Sequence, residues 1–189
     1  MTKVGKTSIY FLTILLLGSI ILGCGCTDNG SGESRIVKSG DMVQVDYIGK
    51  LEDGTIFDTS IAEVAKEAGI YNEQREYVPL NITVGSGQVI EGFEEGLIGM
   101  KEGEEKNLTI PPEKAYGEYN ESWVQVVPLK ELNLSEQPEV GQIYTSVYGI
   151  KYKVIAVNET YVTFDPNSEL AGKTLLFYVK IESIGNETE

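Results

Sequence analysis

From Met42 to Ile48 the chain alternates apolar and polar side chains, which is the two-residue period of a strand with one buried face. Glu52-Asp53-Gly54 supplies a turn, and Thr55-Ile56-Phe57-Asp58 reads as the returning strand. An antiparallel hairpin is therefore expected just after the globular part begins, close to Ile36. Ala62 to Ala68 has helical composition, residues 61–79 read as an extended flap, and Leu80 to Val84 is apolar. Val89 to Met100 carries apolar residues at 89, 90, 93, 97, 98 and 100, close to helical spacing, with Gly99 and Lys101 marking its end. A short helix across the sheet is expected there. Glu105–Ile110 and Leu175–Ile184 read as strands. Between them, residues 124–165 hold strands of their own around Gly141–Tyr144, Tyr152–Val157 and Tyr161–Phe164, a piece that could fold by itself.

Composition narrows the chemistry. A formal charge of -14 with only two arginines argues against nucleic acid, whose phosphates need clustered basic side chains. Histidine is absent, which removes an imidazole base, a Ser-His-Asp triad and the commonest nitrogen ligand of transition metals. Both cysteines, Cys24 and Cys26, lie near the N-terminus, so the globular part is expected to have neither disulfide nor thiol chemistry. The acidic run Glu91, Glu94, Glu95, Glu102, Glu104 and Glu105 does not match a calcium-loop spacing and reads as a solvated helix face. No metal and no cofactor is expected.

Two features point out of the cytoplasm. Lys3 and Lys6 precede an uncharged run whose centre, Ile9 to Leu22, is strongly apolar, a secretory layout. Ile21-Leu22-Gly23-Cys24 resembles a lipoprotein signal, with Cys24 as the lipid-bearing residue; an uncleaved membrane-spanning helix and a simple cleaved signal are the alternatives. Seven of the nine asparagines (Asn29, Asn81, Asn107, Asn120, Asn133, Asn158 and Asn186) begin N-glycosylation sequons, where about one would be expected by chance. An exported glycoprotein facing outside the cell is expected, held at the membrane by its N-terminal anchor.

Four segments, VDYIGKLEDGTIFDTS, VIEGFEEGLIGMKEGE, PPEKAYGEY and LLFYVKI, occur in the order and spacing typical of FKBP-type peptidyl-prolyl cis/trans isomerases, and the chain resembles that family. An insertion separates AYG from LAGKTLLFYVKI, as in the insert-in-flap domain of SlyD-like members, and the long first flap, GIYNEQREYVPL, looks most like archaeal versions. The fold implied is α+β: an antiparallel FKBP sheet wrapped over a short helix, with a small mainly-β insert-in-flap domain. The implied organisation is residues 1–26 as signal or anchor, 27–35 as linker, 36–123 as first part of the FKBP domain, 124–165 as insert, 166–185 as final strand and 186–189 as tail.

The resemblance implies a pocket walled by Tyr47, Phe57, Phe93, Tyr116 and Phe177, flanked by Leu80, Val89 and Ile90, with Asp58 as its charged member. Tyr116, Asp58 and Phe93 would carry catalysis, Phe93 under the proline ring and the Tyr116 hydroxyl near the substrate carbonyl. The Ile90 N-H would be a second donor. Many members have tryptophan in place of Phe93 and an aromatic residue in place of Leu80. Read alone, Tyr47, Phe57 and Phe177 are as readily core as pocket, Asp58 a turn or cap residue, and Tyr116-Gly117 loop punctuation. Trp123, where the insert leaves the body, is expected to pack at that hinge, with a core position as its alternative. The C-terminus IESIGNETE lacks the His- and Cys-rich tail of metal-storing relatives, so that role does not carry over.

The partners implied are unfolded or proline-containing polypeptides, bound by a monomer that combines isomerase and chaperone functions. A membrane-tethered holdase or peptide-binding module with little isomerase activity is the alternative, and a purely structural surface protein a third reading.

Overall fold

A computed structural model describes residues 35–132 and 136–185. The segment expected to act as signal or anchor, with Cys24, the sequon residues Asn29, Asn133 and Asn186, and residues 186–189 lie outside the described residues. The first sheet contains β1 (Met42–Leu51), β2 (Ile56–Thr59), β3 (Leu80–Thr83), β4 (Glu105–Ile110) and β9 (Leu175–Gly185), all paired antiparallel. Its order is β2-β1-β9-β4, with β3 also pairing β1. The hairpin stands where the alternation put it, and the two later strands where their strand-like composition put them.

Strand β9 shows why the period matters. It buries Leu175, Phe177, Val179 and Ile181 in strict alternation, then steps to Ile184. The register against β1 shifts at that point, with Gln44 opposite Ser183 and Val45 opposite Ile181, so one extra residue is absorbed as a bulge. Helix α2 (Glu91–Leu97) lies against the sheet, burying Phe93 and Leu97. A Cβ on Gly92 would come within 2.4 Å of Ile110, and one on Gly96 within 2.5 Å of Leu108. These two glycines, one helical turn apart, let the helix press onto β4.

The helix is shorter than the apolar spacing suggests. Ile90 and Ile98 bound it in extended conformations, so Val89 and Ile90 belong to the entering loop, while Gly99 at φ 83 turns the exit. Glu94 corrects the reading of a solvated acidic face. It is buried, and its carboxylate accepts hydrogen bonds from the N-H groups of Gly85 (3.1 Å) and Gly87 (3.0 Å). Helix α1 (Ala62–Glu67) opens the flap and buries only Ala65.

The second sheet, β5-β8-β7-β6, is formed by β5 (Gln125–Pro128), β6 (Ile143–Thr145), β7 (Lys151–Val157) and β8 (Tyr161–Asp165). The composition expected β6 to β8. Strand β5 is an addition: it is four residues long, ends in a proline and finds its place by pairing with β8. Val154, Val162 and Phe164 form this sheet's buried core. Two chain segments connect it to the first sheet and bond to each other. Gly172 N donates to Gly117 O at 2.8 Å, Asn120 N to Asn167 Oδ1 at 3.1 Å, and Tyr119 OH to Asp165 at 2.9 Å. Trp123 lies in this junction but is 54% exposed, neither core nor packed hinge. The turn Glu121–Trp123 is organised by Asn120 accepting from Ser122 N, which leaves the indole facing outward.

Candidate functional site

The strands converge on a cavity of about 400 Å³ lined by Tyr47, Phe57, Asp58, Leu80, Gln88, Val89, Ile90, Phe93, Tyr116 and Phe177. The nine residues named from the sequence all line it, and Gln88 joins them. Each arrives for a local reason. Tyr47 and Phe177 occupy inward positions on the central strands β1 and β9, which are directly paired. Phe57 and Asp58 come from β2 beside them, Leu80 from β3, and Phe93 from the buried face of α2. Tyr116 follows a turn in which Ala115 N and Gly117 N both return to Pro112 O, and its side chain stands half exposed.

Phe177 is the hub of the aromatic wall. Its ring meets Phe93 at 5.1 Å and Phe57 at 5.6 Å edge-to-face, and Tyr47 at 6.3 Å; Tyr47 meets Phe93 at 6.0 Å. Gly49 on β1 makes room for this cluster, because a Cβ there would lie 2.7 Å from Phe57 and 2.9 Å from Phe177. The choice between core and pocket for Tyr47 and Phe177 resolves into both: each is buried behind the cavity and forms part of its wall.

The polar side of the cavity is one connected network. Tyr47 OH donates to Asp58 Oδ2 at 2.8 Å, and Thr59 N donates to Asp58 Oδ1. Arg75 completes it from the flap, its Nη1 on Asp58 Oδ1 and its Nη2 on the Tyr47 hydroxyl at 2.9 Å. Burial, followed by the bond to Asp58, pushes the Tyr47 phenol up to about 12. The bond to Asp58 likewise raises Arg75. Sequence reasoning missed Arg75 because it lies 17 residues from Asp58 in an irregular flap with no periodic pattern.

The loop before α2 is held equally firmly. Glu94 gathers two of its amides, and Gln88 Oε1 accepts from Thr83 N at 2.9 Å. Gly85 and Gly87 take φ values of 87 and 74, which is what allows both amides to face one carboxylate. The loop thus delivers Gln88, Val89 and Ile90 to the cavity.

The family model of FKBP-type peptidyl-prolyl cis-trans isomerases matches residues 33–182, most of the chain. The chain belongs to that family. It is similar to the short-type peptidyl-prolyl cis-trans isomerase of Methanocaldococcus jannaschii, 48% identical over 152 residues that cover 79% of this chain and 95% of the relative. It is also similar to FK506-binding protein 4 of Chaetomium thermophilum, 42% identical over 98 residues, or 52% of this chain and 17% of that one. Human peptidyl-prolyl cis-trans isomerase FKBP2 is 43% identical over 81 residues, 43% of this chain and 48% of its own. The match to the Methanocaldococcus protein is long enough to run into the second sheet of this isomerase. The sequon residues Asn81, Asn107 and Asn158 of the isomerase are exposed, and Asn120 is partly buried.

Proposed function

We propose that the isomerase works at the aromatic cavity by binding the twisted X-Pro amide more tightly than either planar form. Rotation has a barrier of about 18–20 kcal/mol because it breaks amide resonance, but no covalent bond is made or broken. A nucleophile, a metal and an imidazole are therefore unnecessary; differential binding suffices. The twisted amide has lost much of its resonance dipole, so an apolar wall of Phe57, Phe93 and Phe177 favours it over the planar ground state. Phe93 supports the proline ring, Tyr116 OH donates to the substrate carbonyl, and the Ile90 N-H is the second donor. Asp58 orients the Tyr47 hydroxyl and transfers no proton.

The observation that carries this reading is the meeting of four aromatic rings around one hydrogen-bonded carboxylate. A protease-coupled assay on an Ala-Pro peptide tests it. Tyr116→Phe and Asp58→Ala are each expected to lower kcat/KM about tenfold or more, the range of one lost transition-state hydrogen bond; wild-type rates in both would sink the assignment.

We further propose a SlyD-like, archaeal-type organisation in which the second sheet is an insert-in-flap chaperone domain that holds unfolded clients beside the pocket. Its boundaries are taken as 124–165, inside a body formed by 36–123 and 166–185. Large apolar side chains stand exposed on it, among them Val126, Val140, Ile143, Val147 and Tyr148. A second cavity, between the two sheets, is lined by Tyr116, Ile143 and Leu170, so Tyr116 borders both. A client held there has a high effective concentration at the isomerase site. The N-terminal signal layout and the seven sequons support export, glycosylation and membrane attachment through Cys24 or an uncleaved helix, with exported proteins as clients and the monomer as working unit. Mass spectrometry of the native protein tests that placement: lipid on Cys24 and glycans on asparagines are expected, and an unmodified full-length chain would contradict it.

A further inference from the structure

We propose that Tyr77, stacked on Tyr71, is a positioning residue of the isomerase, acting through Arg75, which it holds on Asp58 and Tyr47. The inference rests on the reading of the aromatic cavity as the isomerase pocket.

The flap is built to return Arg75 to that cavity. After α1 the N-H groups of Ala68, Gly69 and Ile70 bond back to Val64, Lys66 and Ala65, with Gly69 at φ 71 turning the chain away from the helix. Asn72 then makes the reversal: its Oδ1 accepts from Gln74 N at 2.9 Å, and its carbonyl accepts from Arg75 N at 3.1 Å. Tyr77 closes the loop, its hydroxyl oxygen accepting from Asn72 N at 3.0 Å.

Four side chains form a ladder across this turn. The rings of Tyr71 and Tyr77 stack with centroids 5.2 Å apart and planes 13° from parallel. Lys66 Nζ lies 5.0 Å from the Tyr71 centroid, and Arg75 Cζ lies 5.2 Å from that of Tyr77. Each cation covers one outer ring of the pair, where the ring quadrupole attracts it. One of these cations is the guanidinium that bonds Asp58 and the Tyr47 hydroxyl.

The ladder is needed because the ion pair is weakly held without it. The Arg75 and Asp58 side chains are 41% and 38% exposed, and pairs this open are screened by water and hold little by themselves. Glu73 and Glu76 stand near Arg75 in sequence, in an exposed stretch, and are alternative carboxylate partners for a guanidinium that leaves Asp58. A planar guanidinium stacked on a ring has fewer ways to turn toward them. Tyr77 thereby keeps Asp58 paired at the wall of a mostly apolar cavity and the Tyr47 hydroxyl oriented beside it. Releasing Arg75 leaves an uncompensated carboxylate facing the bound peptide.

The test measures kcat/KM of the full chain on an Ala-Pro peptide. Tyr77→Leu, which removes the ring, is expected to lower it roughly threefold to tenfold, the scale of one stacked pair with its cation. Tyr77→Phe keeps the ring but removes the hydroxyl that accepts from Asn72 N, and is expected to lose less than Tyr77→Leu because the ring carries the contact to Arg75. An equal loss would overturn the role of the ring, and circular dichroism of each variant controls for folding. Arg75→Ala is expected to lower the rate, and adding Tyr77→Leu to it to change nothing further, because the ring then has no guanidinium to hold. A wild-type rate for Tyr77→Leu, or losses that multiply in the double variant, would overturn the inference while leaving the pocket intact. An unchanged rate for Asp58→Ala would instead overturn the pocket reading on which it rests.

Discussion

The two sheets of this isomerase are built to different standards of packing. Among the described residues, the body gathers 16 buried side chains into one core, running from Val37 to Ile184, whereas the second sheet has three, Val154, Val162 and Phe164. The body also closes its polar accounts locally, with Glu94, Asp58 and Ser60 all bonded to neighbouring loops or strands. The second sheet leaves Val147 94% and Tyr148 88% exposed at the turn between β6 and β7. Pre-organisation of a small cavity requires rigid walls, while holding varied unfolded chains requires accessible apolar surface. The difference fits isomerisation in the well-packed region and supports the proposal that the sparse one holds clients.

The largest effects should separate the two cores. Ile181→Ala, at a fully buried position of β9, is expected to lower global stability by about 2–5 kcal/mol in denaturant unfolding. Phe164→Ala removes the ring on which Tyr144 and Tyr152 pack edge-to-face. Hydrogen exchange should then show the second sheet open while the body stays protected. A single transition in which both regions open together would break the comparison.

A step down in size is Gly49→Ala. The new methyl would overlap the Phe57 and Phe177 rings, at a cost of about 1–3 kcal/mol, and is expected to depress peptide isomerisation together with stability. Glu94→Gln keeps one acceptor and replaces the other by a donor facing an amide. We expect about tenfold lower kcat/KM, because one of the two bonds holding the loop of Val89 and Ile90 is lost and the other loses its charge. Wild-type kinetics there would detach the loop anchor from function.

A further effect is alkaline. An unfolded tyrosine titrates near 10 and Tyr47 in the fold at about 12, so the fold favours the neutral phenol. The corresponding stability is complete below pH 10 and is lost as pH rises toward 12. Tyr47→Phe should flatten the alkaline limb of a plot of stability against pH over that interval. An unchanged limb would mean that Tyr47 does not titrate differently on folding.

Much of this was legible in the chain, and the exceptions share a cause. Alternation placed β1, and strand-like composition β4 and β9. Four motif segments brought eight residues to one cavity and the flap segment ending in Leu80 the ninth, most of them on strands or α2, with Val89, Ile90 and Tyr116 carried by the motif itself rather than by period. Arg75, Glu94 and Gln88 were not legible in the same way. Their roles come from loops in which an Asn72 turn or a pair of positive-φ glycines decides where a side chain ends up. Glu94 looked like one more acidic residue on a wet helix, and only the folding back of Gly85 and Gly87 makes it an anchor. Trp123 and β5 were missed because both depend on how the second sheet joins the first, which pairs residues 47 positions apart.

The central claim, that catalysis belongs to the body and client holding to the second sheet, is tested most directly by deleting residues 124–165. The cross-bonded junction of Asn120 with Asn167 leaves the cut ends close enough to rejoin. The deleted protein should isomerise an Ala-Pro peptide within about threefold of wild type, since peptide turnover needs only the pocket. It should also fail to speed refolding of a proline-limited protein or to suppress its aggregation. Retained acceleration of protein refolding, or loss of peptide activity in a body that still melts cooperatively, would contradict the account.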